Sequence, residues 1–392
     1  MAAENSKIIA EELKELSQFW SEQGDALSLY SKAPAAPSDL SRREDRIHAK
    51  DKMREALGKL HGTAPVDRRD IERILNTVTE MKGNGGRAKV IFACARRGIW
   101  REYDVPADLS LRVDAGCAFT LAPLIAQQQS RRRYCIALAD RNRGRLLLLE
   151  GREIFEHSQV LDEERDKIRT TGARKSVHLE RKKEEDAKRH FAFLADHLLH
   201  FYEHKDYDYL IVGCRDQMWP EIEAELRPEI KRILVGRFTI DPGLATREEI
   251  LGHAQAIVDE KDREDESRLV DRTIGAAAAD ALGAVGLKAV IDALEKGEVR
   301  TLLWSDQPQS SRHGACLCEN CGHLDAEDLH ACTLCGARMR RFSDAEEALL
   351  RHALGRSIEV RQLHFAKLPP PDAIAAWLRY RADMNTAQAL AS

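Results

Sequence analysis

No run of 18 or more apolar residues occurs in this sequence, so nothing in it is built to span a membrane. Its first twenty residues, MAAENSKIIAEELKELSQFW, lack the apolar core and small-residue cleavage site of a secretory signal. A phosphate loop is missing, because the one Gly-Lys pair, Gly58-Lys59, runs into Leu60. Neither H-E-x-x-H nor G-x-S-x-G is present, which removes the commonest zinc-protease and serine-hydrolase signatures. GNGGRA over 83–88 formally satisfies G-x-G-x-x-A, but it stands before a β-rich run. A dinucleotide fingerprint has to follow a strand, so this one reads as a turn. A net charge of −4 and a pI near 6.4 exclude a globally basic nucleic-acid coat.

What is present is a chain of 392 residues, 43% hydrophobic and 32% charged, long enough for two or three domains. SKIIAEELKELSQFW, KDKMREALGKL and RDIERILNTVTEM repeat apolar residues at helical spacing, with the proline-punctuated SKAPAAPSDLS as a loop between the first two. AKVIFACA, REYDVP and LSLRV then read as strands. YCIALAD-RNRG-RLLLLEG is two apolar strands around a tight polar turn, a β-hairpin. A helix is expected from about Val177 to Tyr202, its apolar face formed by Phe191, Leu194, Leu198 and Phe201 or Tyr202. Strand YDYLIVGC, helix QMWPEIEAEL, strand RILVGRF and a long charged helix from Thr246 follow. This alternation implies a layered α/β domain over 130–240. Glu260 to Glu266 reads as a charged hinge. Beyond it lie helices AAAADALG and LKAVIDALEKG, strand EVRTLLWS, a cysteine insert, helix DAEEALLRHALG and strand SIEVRQL.

Nine cysteines are an odd number, and five crowd into 316–335, which points to metal in a reducing compartment more than to disulfides. Cys318 and Cys321 make one C-x2-C and Cys332 and Cys335 another, with ten residues between. Four thiolates so spaced can enclose Zn²⁺ with no open position, which makes the expected site structural. Gly322 and Gly336 follow the pairs and permit tight turns. Cys316 or His323 stands close enough in sequence to replace one ligand. Cys94, Cys117, Cys135 and Cys214 lie in or beside apolar runs and read as core. His190, His197 and His200 share one helix. His197 and His200, three apart, read as a solvent-facing or satisfied pair.

Positive charge is concentrated locally. Arg131, Arg132, Arg133, Arg141, Arg143 and Arg145 flank YCIALAD, and Lys167 to Arg189 holds nine Lys or Arg against four acids. Within IRTTGARKS, Arg169, Arg174 and Lys175, with Arg181 and Lys182 beyond, supply cations for phosphate. Thr170, Thr171 and Ser176 supply hydroxyl donors, and Gly172 supplies backbone freedom. An ordinary solvated connection is the plain alternative.

In their order, the hairpin, the basic loop, the long helix, YDYLIVGC, PEIKRILVGRFTID and ATREEILGHAQAIVDE resemble the middle domain of archaeo-eukaryotic class I release factors and Pelota. VGLKAVIDALEKGEVRTLLWSDQ, the cysteine ribbon and RSIEVRQL resemble the third domain of that superfamily, and VIFACARRGIWREYDVP with FTLAPLIAQ the first domain of its bacterial branch. The resemblance covers about Val90 to Leu363. It implies an α/β (α+β) multi-domain chain of three domains. These are an N-terminal α/β domain over 1–129, and a release-factor-like mixed sheet with helices over 130–262, whose basic loop spans 163–178. The third, over 263–392, is a ribosomal-L7Ae-like α/β domain with a zinc ribbon inserted at 316–336.

The resemblance further implies binding to the ribosomal A site. In true release factors the middle-domain loop carries Gly-Gly-Gln for hydrolysis of peptidyl-tRNA. Here Gly172 is kept, Ala173 follows it, and no glutamine occurs between Gln159 and Gln217. The expected function is therefore a cytoplasmic ribosome- and RNA-binding translation factor active in hibernation, rescue or recycling. Its expected partners are rRNA, with tRNA and a translational GTPase as further candidates. A peptidyl-tRNA hydrolase working through the loop backbone and a zinc-ribbon protein adaptor are the alternatives; no catalytic side chain is assigned.

Overall fold

A computed structural model describes residues 12–32, 47, 51–52, 54–55, 66–80, 88–105, 109, 112–129, 132–141, 143–151, 153–160, 176–305, 314–370 and 373–382. The chain clusters into two compact units, one continuous over 131–264 and one discontinuous, made of 1–130 and 265–392. Mixed α/β structure fills both. No helix among the described residues is long and apolar enough to cross a membrane.

The discontinuous unit opens with helical residues 12–18. Strand β1 (Ala26–Lys32), helix α1 (Arg68–Glu80), and strands β2 (Ala88–Cys94), β3 (Ile99–Val105) and β4 (Arg112–Gly116) follow. They form an antiparallel sheet in the order β3-β2-β1-β4. Helix α2 (Ala122–Gln129) closes this half.

The continuous unit contains β5 (Arg133–Ala139), β6 (Gly144–Glu150), β7 (Glu153–Val160), helix α3 (Ser176–Glu203) and β8 (Tyr209–Cys214). Short helices α4 (Trp219–Glu225) and α5 (Pro228–Ile233) lead to β9 (Leu234–Thr239). The sheet runs β7-β6-β5-β8-β9, with β5, β8 and β9 parallel and the β5–β6–β7 meander antiparallel. Both faces are covered, which is why its central strands are almost uninterruptedly apolar. On one face Cys135, Ala137 and Val212 pack with Phe191, Leu194 and Leu198 of α3 and with Ile222 and Ile230 of α4 and α5. On the other, Ile136, Leu138, Ile211 and Phe238 pack with Ile250, Ala254 and Val258 of helix α6 (Arg247–Ala278).

The charged run Glu260 to Glu266 is helical throughout, and the boundary between the two compact units falls within it, between Glu264 and Asp265. Acid and base alternate at helical spacing there, and the i,i+3 pairs Glu260–Arg263 and Asp265–Arg268 support the turn. The helix expected over AAAADALG ends instead at Ala278, where Asp280 takes a left-handed φ of 53°.

After α6 the discontinuous unit resumes with β10 (Gly283–Val285), α7 (Leu287–Glu295) and β11 (Val299–Ser305). The ribbon strands are β12 (Ala315–Cys318), β13 (Leu324–Asp325) and β14 (Met339–Phe342). Helix α8 (Ala345–Gly355), β15 (Glu359–Leu363) and β16 (Ile374–Leu378) complete it. The main sheet here is β10-β16-β11-β15, with β16 antiparallel to both neighbours and β15 parallel to β11. The ribbon is a separate three-stranded sheet, β13-β12-β14. Asp344 caps α8 by accepting the Glu346 amide at 3.1 Å.

One hydrophobic cluster runs through both halves of this unit, joining Tyr30, Phe92, Phe119 and Leu121 to Leu294, Trp304, Ala348 and Leu349. Within it lies a buried ion pair. Glu347 Oε1 meets Arg351 Nε at 3.1 Å, while Glu347 Oε2 accepts the Leu121 amide at 3.1 Å. The Arg351 guanidinium donates to the carbonyls of Ser17 and Phe119. Burial pushes the Glu347 carboxyl up and the Arg351 guanidinium down, each against the pull of its partner. A buried charge pair of this kind is tolerable only because its other lone pairs and protons are satisfied, here by backbone of the N-terminal half.

Candidate metal centre and RNA-contact segment

The two C-x2-C pairs form matching turns. After the first, the Cys318 amide donates to His323 O at 2.8 Å and the Gly322 amide to Cys318 O at 3.2 Å. The second repeats this arrangement, Cys332 N to Ala337 O at 2.7 Å and Gly336 N to Cys332 O at 2.9 Å. Gly322 and Gly336 sit at φ 71° and 72°, left-handed values that glycine takes without strain. Each turn also aims an amide at sulfur, Cys321 N to Cys318 Sγ at 3.5 Å and Leu334 N to Cys332 Sγ at 3.4 Å.

Facing one another, the turns bring four sulfurs together, with Cys318–Cys335 at 3.5 Å, Cys321–Cys332 at 3.6 Å and Cys321–Cys335 at 3.5 Å. All four lie within 4.8 Å of one another, the one such group of three or more metal-ligating side chains among the described residues. Sulfurs about 2.3 Å from a common tetrahedral centre stand about 3.8 Å apart, so the spacing suits a metal ion at the middle. The His323 amide favours the Cys321 thiolate but is outweighed by burial and the neighbouring thiols, and this thiol is pushed up to about 12. The Ala337 amide, then the Cys321 thiol, bring Cys335 down to about 6.

Cys316 and His323 stand apart from the cluster. Cys316 is buried, with Sγ 3.9 Å from Asp328. His323 Nδ1 meets Glu295 Oε2 at 2.7 Å and its Nε2 faces Thr333, so both ring nitrogens are engaged away from the sulfurs. Glu295, at the end of α7, also accepts the Leu324 amide at 3.0 Å, and His352 Nδ1 meets Gly322 O at 3.0 Å. These supports come from residues about 30 positions away, and no local pattern announces them.

Of the sequence-derived RNA contacts, Arg169, Thr170, Thr171, Gly172, Arg174 and Lys175 lie outside the described residues. Ser176 begins α3 and Arg181 and Lys182 fall in its first two turns. Strand β7 is the last described element before that segment. Val160, at the end of β7, pairs with Gly144, and Gly144 with Ala139 at the end of β5. Val160 therefore lies at the end of the sheet that carries the β5–β6 turn and the carboxyl ends of β8 and β9. Three ion pairs occupy that end, Arg141–Glu221 at 2.8 Å, Arg237–Asp216 at 2.6 Å and Arg215–Asp241. Of the predicted core cysteines, Cys94, Cys135 and Cys214 are buried and Cys117 is half-buried.

Residues 120–258 match the model of bacterial archaeo-eukaryotic release factor family 10. Among solved structures the chain is similar to the archaeal translation termination factor aRF1, at 16% identity over 96% of this chain and 98% of that one, with a TM-score of 0.24. It is similar to Archaeoglobus fulgidus Pelota at 14% identity over 75% and 80% of the two chains, TM-score 0.35. Dom34 of S. cerevisiae, described as a translation termination-like factor, shares 11% identity over 96% and 95%, TM-score 0.35. No curated protein matches the chain.

Proposed function

We propose, from the match of residues 120–258 to the model of bacterial archaeo-eukaryotic release factor family 10, that the chain is a ribosome- and RNA-binding translation factor. It acts in the ribosomal A site in hibernation, rescue or recycling, without glutamine-dependent hydrolysis. What supports the reading is one coincidence: the family match spans the hairpin, the basic segment and α3, and that segment lacks the glutamine chemistry of release. Its cations neutralise RNA phosphates, and its threonines donate to phosphate or ribose oxygens. The cysteine cluster holds structural Zn²⁺, which closes four thiolate positions, leaves none for substrate and orders a ribbon with little core of its own.

Cosedimentation with ribosomes across a salt series tests the reading. Wild-type protein binds at low salt, and Arg174→Ala with Lys175→Ala weakens binding and flattens the salt slope by roughly 2. Absence of ribosome affinity at low salt would sink the proposal. Peptide release from stalled ribosomes, measured alongside, stays at background; release above it would make the protein a peptidyl-tRNA hydrolase instead.

A further inference from the structure

We propose that His200 and His204, near the carboxyl end of α3, form a second metal site, for a divalent ion of the zinc, nickel or copper type. The spacing is His-x3-His across the carboxyl end of α3: His200 lies in its last turn and His204 directly follows Glu203, with the His204 amide donating to His200 O at 3.2 Å, so the helical i,i+4 geometry carries through the pair. Both residues are exposed. Their rings stand 4.2 Å apart, centroid to centroid, at an interplanar angle of 55°. His204 Nδ1 is 2.7 Å from His200 O, which leaves Nε2 as the nitrogen of that ring to take a metal. Two imidazoles at i and i+4 are the spacing with which helices chelate zinc.

His197 belongs to a different arrangement. Its Nδ1 meets Phe193 O at 3.1 Å, and its ring lies 4.0 Å from the Phe193 ring. The i,i+3 pair His197–His200 that the sequence draws attention to is the poorer chelate because the His197 ring packs on Phe193, and His200–His204, whose rings adjoin at i,i+4 spacing, is the better one. Neutral imidazole suits zinc, copper and nickel, whereas magnesium and calcium prefer oxygen, so the ligand class follows from the donors. With no third histidine, cysteine or carboxylate drawn in among the described residues, the pair fills two positions. Water or a donor from another molecule completes the shell.

The test is calorimetric titration of Ni²⁺ into the full-length chain after its cysteine cluster has been loaded with Zn²⁺. Wild-type protein takes up one further ion. His204→Ala and His200→Ala each weaken that uptake at least about tenfold, since loss of even an outer-shell partner costs about 10–100-fold. His197→Ala changes it far less. Helicity by circular dichroism, unchanged in all three variants, separates ligand loss from unfolding. Equal Ni²⁺ affinity in wild type, His200→Ala and His204→Ala would overturn the assignment, as would a loss confined to His197→Ala.

Discussion

The two units are stabilised by different means. The continuous unit is a sheet covered on both faces, whose core is aliphatic and aromatic and whose ion pairs stay at the surface. The discontinuous unit, assembled from segments more than a hundred residues apart, buries an ion pair within its shared core and carries a cysteine cluster at its ribbon. Where one stretch of chain supplies the core, shape and hydrophobicity suffice. Where distant segments must find each other, this protein adds a buried ion pair hydrogen-bonded to backbone of the other half.

Removing the cysteine cluster should break that contrast most severely. Cys318→Ser with Cys332→Ser is expected to abolish metal binding, and zinc contributes on the order of 10 kcal/mol in small sites. Limited proteolysis should then cut within 316–336, while fragments of 131–264 stay resistant. Equal protease sensitivity in both units would remove the distinction.

Next in size is Arg351→Met, which leaves Glu347 buried without its cation and should cost about 3–5 kcal/mol in denaturant unfolding. Glu347→Gln with Arg351→Met should recover most of that loss. pH sharpens the test. Because burial raises the Glu347 carboxyl in the folded state, the unpaired acid is least costly below its unfolded range near 4.3, and stability falls as pH rises above that range. Arg351→Met should accordingly show its largest deficit at neutral pH and a smaller one in acid. A pH-independent deficit would argue against the buried carboxylate.

The smallest effect belongs to packing in the continuous unit. A Cβ on Gly213 would stand 2.5 Å from Leu138 Cδ2 and 2.7 Å from Phe238 Cζ, so Gly213→Ala should destabilise by about 1–3 kcal/mol. The expected mark is a lower denaturant midpoint with unchanged metal content. A neutral result would mean that both side chains can move aside.

Legibility in the sequence divides along the same line. The hairpin around Asp140–Arg143, the apolar face of α3 and strand β8 stand plainly in the chain, because each is buried in a regular environment. Strand β1 does not. It pairs with both β2 and β4, yet Ser28 and Ser31 interrupt its apolar pattern, and Ser28 is buried because its hydroxyl accepts the Thr120 amide. Strand β16 is hidden for another reason: Ala375 and Ala376 have helix-forming side chains, and only close approach in the sheet makes a strand of them. Edge strand β7 alternates polar and apolar too weakly to stand out in the chain. At the candidate site, cysteine spacing revealed the four sulfurs. The choice against Cys316 and His323 was illegible, because Asp328 and Glu295 decide it through space.

The interleaving of segments also imposes an order on synthesis. Residues 131–264 leave the ribosome with every strand of their sheet and can fold at once. Strand β1 and its neighbours must wait for α8 and β16 before their shared core closes. At about 5–20 residues per second, the roughly 260 residues from β4 to β16 take on the order of 10–50 s to appear. For that interval the N-terminal sheet carries an apolar face that only the last third of the chain covers.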